Sequence, residues 1–159
     1  MSEYRNKLFD IRLNDRNMVA RNPEIEHERR VAIYDLLEDN SFSVIGEEDL
    51  GPYALLLQRQ ENRLIFEISG DDGRHITDVP LTLSVFRKII RDYFTVCESY
   101  YDAIRTATPS RIEAIDMGRR GLHDEGAELL KGKLAAKVEV DYSTARRLFT
   151  LICVLHVRG

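Results

Sequence analysis

YYDAIRTATPSRIEAIDMGRRGLHDEG, residues 100–126, joins the two longest helical patterns of the chain and decides its fold. Thr108-Pro109 is a helix start: threonine caps the first free amides, and proline suits the first helical position, where no amide is needed. The residue before a proline resists helical angles, so the helix carrying Tyr100, Tyr101 and Ile104 must end first. The pattern predicts an αα-hairpin with a tight corner. Its second helix runs from Pro109 towards Lys131.

At 100° per residue, Ile112, Ile115, Leu122, Leu129 and Leu130 form one apolar stripe of that second helix. Arg119 falls inside the stripe, with Asp116 and His123 on its edge, one turn to either side. A buried arginine is costly unless paired, and Asp116 is its nearest local partner. Two readings stay open. The cluster is a half-buried ion pair and histidine that fix how the helix docks, or it is a pocket wall. In a pocket, Arg119 holds an anion while His123 and Asp116 handle a proton. Gly118, Gly121 and Gly126 interrupt the helix, each at a cost of about 1 kcal/mol against alanine. Gly126 lies on the stripe, where a missing side chain lets another backbone approach. Gly118 and Gly121 point away, towards a second contact surface or a break in the helix.

Upstream, Phe86, Ile89, Ile90, Tyr93, Phe94, Cys97, Tyr100, Tyr101 and Ile104 keep helical spacing from about Leu83 to Thr106. Asn22-Pro23 starts another helix, to about Asp39, with Ile25, Ala32, Ile33 and Leu36 inward. Its Glu24 and His27 have the Glu-x-x-His spacing of carboxylate-bridged metal sites, but no second copy exists, so His27 reads as solvated. The last helix, about Tyr142 to Val157, is apolar almost all round and should be central. Asp141 or Ser143 caps it. Its first turns carry Arg146 and Arg147, a setting that suits a phosphate or carboxylate, or else places both arginines on the surface. His156 suits the C-terminal dipole of the same helix.

Strand patterns fill the first half. Residues 7–14 alternate, and residues 14–22 read as a loop. Tyr53–Arg59 and Arg63–Ser69 form a hairpin about Gln60-Glu61-Asn62, with Leu55, Leu56 and Leu57 indicating cover on both faces. His75 to Val79 follows, ending at Pro80, with His75 on the sheet surface and no obvious partner. Short strands fit Ser41–Ile45 and Lys137–Asp141, and Gly46 to Pro52 is a loop.

The chain has 159 residues and a net charge of −4. That length suits one domain, 1–159, with a strand-rich part to about residue 80 and a helical part from 81 sharing one core. Residues 1–82 carry 10 Lys/Arg against 17 Asp/Glu, and residues 83–159 carry 13 against 10. The net acidity argues against general nucleic-acid binding. No apolar run is long enough to cross a membrane, and the N-terminus lacks a signal-peptide core, so a cytoplasmic location is expected. Cys97 and Cys153 sit in apolar helical runs and read as buried thiols. Phosphate-loop, dinucleotide, zinc-protease, Cys-x-x-Cys and nucleophile-elbow motifs are all missing from the sequence, and no metal or cofactor is expected.

The runs CESYYDAIRTATPSRIEAIDMGRRGLHDEG and DYSTARRLFTLICVLHVRG, with NPEIEHERRVAIYDL near the start, resemble uncharacterised protein family 0262 of bacteria. The resemblance covers most of the chain. It implies a small cytoplasmic bacterial protein and no particular activity.

The expected fold is α+β: a small, mainly antiparallel sheet packed with about four helices, the C-terminal one central and buried. The leading expectation for function is a non-enzymatic binding or assembly module that forms a homo-oligomer. The alternative is an enzyme or sensor for a small anionic or phosphorylated ligand. Its anion would be held by Arg119, Arg120, Arg146 and Arg147, and its proton handled by His123 and Asp116. That alternative requires the start of the last helix to lie near His123.

Overall fold

The computed structural model describes residues 2–14 and 23–155. A short helix, α1 (Ser2–Arg5), leads into strand β1 (Leu8–Asn14). Helix α2 (Pro23–Glu38), strand β2 (Phe42–Val44) and the meander β3 (Tyr53–Gln60), β4 (Arg63–Gly70) and β5 (His75–Thr82) follow. The rest is α3 (Arg87–Thr106), α4 (Pro109–Leu134), β6 (Val138–Val140) and α5 (Tyr142–Leu155). This is an α+β architecture, with four long helices against a four-stranded sheet in the order β1-β3-β4-β5. β3 pairs antiparallel with β4 and β4 with β5, while β1 adds to β3 in parallel. A second, two-stranded sheet joins β2 from the first half to β6 from the second.

Alternation places Tyr53, Leu55 and Leu57 of β3 and Leu64, Phe66 and Ile68 of β4 on the inner face, all buried. Leu56 corrects the expectation of cover on both faces, for it is only half-buried. It stands between Arg12 and Glu67 in register, on the outer face. β5 also runs past Pro80 to Thr82. A proline is tolerated there because β5 is an edge strand, where a missing amide breaks no second ladder. His75 has a partner after all: Nε2 lies 2.8 Å from Asp78 Oδ1. The register shift between Ile68 and Ser69 brings the two together despite their spacing of three.

β1 is fastened to α2 by Asn40. Its Oδ1 accepts from the Leu8 amide at 2.7 Å, and its Nδ2 donates to the carbonyls of Leu8 at 3.1 Å and Leu36 at 2.6 Å. A buried amide so fully used fixes strand against helix.

The hairpin forms as expected. Ala107 is extended, Thr108 Oγ1 accepts from the Arg111 amide, and Pro109 opens α4. α4 is continuous through Gly118 and Gly121 to Leu134, so neither glycine marks a break. Ile104 departs from the predicted stripe, being 51% exposed while Ala103 is buried. Near the hairpin corner only the facing helix is available to cover it. Leu148, Phe149, Leu151 and Ile152 of α5 are fully buried, which makes the C-terminal helix central. Cys97 and Cys153 are buried. Among the described residues, no helix is long and apolar enough to cross a membrane. The readings of residues 15–22, of the Ile25 and Glu24 side chains and of His156 lie outside the described residues.

Candidate functional site

The site is built where α4 meets α5. Gly126 makes the meeting possible: a Cβ there would overlap the Phe149 ring, so only glycine lets that ring seat against α4. The closely approaching group is thus an aromatic side chain, which corrects the expectation of a second backbone. With α5 drawn in, His123 of α4 reaches Arg146 and Thr150 of α5. Its ring lies 5.5 Å from that of Tyr93 and 5.9 Å from that of Phe149.

The tautomer of His123 follows from its neighbours. Nε2 is 2.9 Å from the Arg146 carbonyl, which can only accept. Nδ1 is 3.3 Å from an Arg146 guanidinium nitrogen, which can only donate. Nε2 therefore carries the proton and Nδ1 the lone pair, and the ring is neutral in this arrangement. Nε2 is also 2.9 Å from Thr150 Oγ1. Both nitrogens are engaged by α5, so His123 could exchange a proton with a ligand only by breaking one of these bonds.

Asp116 is engaged in the same way. Its Oδ1 accepts from Arg119 Nε at 3.0 Å and from a terminal nitrogen of Arg119 at 2.6 Å. Its Oδ2 lies 3.2 Å from Arg120 Nε. Arg119 also sits over the Tyr100 ring, 4.8 Å from its centre, a cation–π contact. Burial works against the Arg119 charge, but the Asp116 hydrogen bond and the surrounding Asp116, Tyr93 and Cys97 charges together outweigh it and raise the pKa above the ordinary arginine value, so the cation is fixed. Arg146 Nε lies 3.1 Å from Asp124 Oδ1, near enough for charge pairing but misaligned for a hydrogen bond. Desolvation, then the hydrogen-bonded Asp124 carboxylate, raises the Tyr142 hydroxyl above its ordinary pKa.

These groups surround a cleft of about 410 Å³, within the range of small-molecule sites. α2 supplies His27, Val31, Ala32 and Asp35. α3 supplies Tyr93, Tyr100 and Tyr101, and α4 supplies Arg119 and His123. α5 supplies Ser143, Arg146, Arg147 and Thr150. Of the expected anion-binding residues, Arg119, Arg146 and Arg147 come together here. Arg120 is exposed, pairs with Asp116 and is not part of the wall. Of the two proton-handling candidates, His123 lines the cleft and Asp116 stands behind Arg119. The last helix's start does lie beside His123, as the ligand reading requires.

The α5 N-terminus itself is already capped by the protein. Asp141 Oδ1 accepts from the Thr144 amide at 2.9 Å, and Thr144 Oγ1 accepts in turn from the Ser41 amide at 3.0 Å. Any acidic ligand must therefore rely on the arginine side chains. Arg147 stands out among them. It donates to the Asp39 carbonyl at 3.2 Å and has no carboxylate partner among the described residues.

Asp35 and Thr150 were not legible as site residues, although a signal exists for one of them. Ser143, Arg146, Arg147 and Thr150 follow i, i+3, i+4, i+7 spacing, a polar stripe on an otherwise apolar helix. Asp35 lies on a helix rich in charge and nothing in its local sequence singles it out. His27 was read as solvated; it is exposed and stands on the cleft wall. Among the described residues there is no cluster of three or more potential metal ligands.

Fold and site together define an α+β protein with an arginine-rich cleft between four helices. The chain belongs to the Uncharacterised protein family UPF0262, whose family model matches residues 5–158. It is 55% identical to the UPF0262 protein of Paramagnetospirillum magneticum over 98% of this chain and 99% of that one. It is 56% identical to the UPF0262 protein of Brucella anthropi, over 96% and 95% of the two chains. The UPF0262 protein of Hyphomonas neptunium is likewise 56% identical, over 95% and 93%. No solved structure matches.

Proposed function

We propose that this protein is a non-enzymatic, cytoplasmic binding module whose four-helix cleft holds a small ligand through an acidic group. The observation that carries the reading is Arg147, a guanidinium on the cleft wall whose partner among the described residues is a backbone carbonyl. Such a charge is the natural seat for a carboxylate or phosphate. Binding is favoured over catalysis because His123 and Asp116, the two groups singled out for proton handling, are both held by neighbouring side chains or backbone. Self-association has its own support: Val31, Tyr34 and Leu37 expose apolar surface along α2 at spacings of three.

Native mass spectrometry of the protein, purified gently from its own host, tests the proposal. A retained small mass that disappears with Arg147→Gln is the expected result. A bare chain or bare dimer, or a mass matching a second protein, would count against the ligand and favour an assembly role.

A further inference from the structure

The charges of the cleft can be balanced group by group. Arg119 is paired with Asp116, which it shares with Arg120, and Arg146 is paired with Asp124, and His123 is uncharged in its observed hydrogen bonding. Two charged cleft residues remain, one of each sign. Arg147 has no carboxylate partner, and Asp35 has no cation within ion-pair distance, among the described residues. They stand on adjacent elements, α2 and α5, linked through Asp39. Arg147 reaches the carbonyl of Asp39, and the Asp39 amide bonds the carbonyl of Asp35 one helical turn earlier. Both are only partly exposed. Two opposite charges on one cleft wall, not paired with each other, leave both signs unanswered.

We propose that the ligand is amphoteric: it carries an acidic group for Arg147 and a protonated amine for Asp35, as a free amino acid does. This rests on the reading of the cleft as an acid-binding site and narrows it. A polyanion such as a diphosphate would meet the Asp35 carboxylate and be repelled. A ligand bearing both charges answers each wall group with a charge-assisted hydrogen bond. Elsewhere on the wall, Tyr100, Tyr101 and Val31 offer rings and apolar surface to the remainder of the molecule.

The test is calorimetric titration of free L-amino acids, their N-acetyl derivatives and their C-terminal amides. The proteins are wild type, Asp35→Asn and Arg147→Gln, each checked for a cooperative unfolding transition. At least one free amino acid should bind wild type. N-acetylation should weaken it about tenfold or more in wild type and scarcely at all in Asp35→Asn. C-terminal amidation should do the same in wild type and scarcely matter in Arg147→Gln. If N-acetyl derivatives bind wild type as well as the free amino acids, and Arg147→Gln abolishes both, the amphoteric ligand is overturned while the acid-binding cleft survives. If no member of the panel binds, the amphoteric inference falls, and native mass spectrometry decides the broader reading separately. If binding is indifferent to Arg147→Gln, both readings fall.

Discussion

α4 has two halves that face different worlds. From Gly126 to Leu134 it is a packing element: Gly126, Ala127, Leu130 and Leu134 are buried against the core. From Pro109 to His123 its stripe is only half-buried, and Asp116, Arg119 and His123 are tied into polar pairs. The same 3.6-residue period runs through both. What differs is the partner. The second half meets the Phe149 ring of α5 at Gly126, while the first meets α3 on one side, an open cleft on the other, and α5 only at its end through His123. A dry seam tolerates no change of volume, whereas a polar wall tolerates exchange of one charged group for another shape.

Four substitutions separate the halves, and urea denaturation reads them all. Leu130→Ala in the dry half should cost most, about 3–4 kcal/mol, because it opens a cavity in a fully buried site. Gly126→Ala should cost about 2 kcal/mol, the overlap with Phe149 exceeding the gain in helix propensity. Gly121→Ala should instead stabilise by about 0.5–1 kcal/mol, since nothing lies within 4 Å of an added Cβ and alanine is the better helix former. Arg119→Met should change stability least, by about 0.5 kcal/mol, because Asp116 keeps Arg120 as its partner. Its effect should appear in the cleft, as weaker retention of ligand. Equal losses from Gly126→Ala and Gly121→Ala would erase the distinction between the halves. A loss of several kcal/mol from Arg119→Met would turn the polar wall into a structural ion pair and nothing more.

The packing half was readable in the sequence and the cleft half only in part. Thr108-Pro109 fixes the corner whatever the rest of the chain does, and the spacing of Leu64, Phe66 and Ile68 in β4 fixes its inner face, although Ile65 between them is buried on the other. Leu56 and Ile104 were misplaced for one reason. An apolar residue in a good pattern reads as covered, but cover depends on whether a second layer exists on that side. The Asp116–Arg119 pair could be read from spacing because it lies within one helix. The contacts of His123 with Arg146 and Thr150 could not, since they span 23 and 27 residues and depend on Phe149 seating at Gly126. Asp35 is invisible to any local rule, as its role on the wall exists only once α2 lies against α5.

Hydrogen exchange is the most direct test of the central claim, that the cleft half holds a ligand and the dry half does not. Protein purified gently from its host would be compared with the same protein unfolded, dialysed and refolded. A bound ligand slows opening of the elements it touches. The account predicts slower exchange in the host-purified protein for residues 27–35, 119–123 and 143–150, with Gly126–Leu134 unchanged. Identical exchange in the two samples, or a difference centred on Gly126–Leu134 or the sheet, would contradict it.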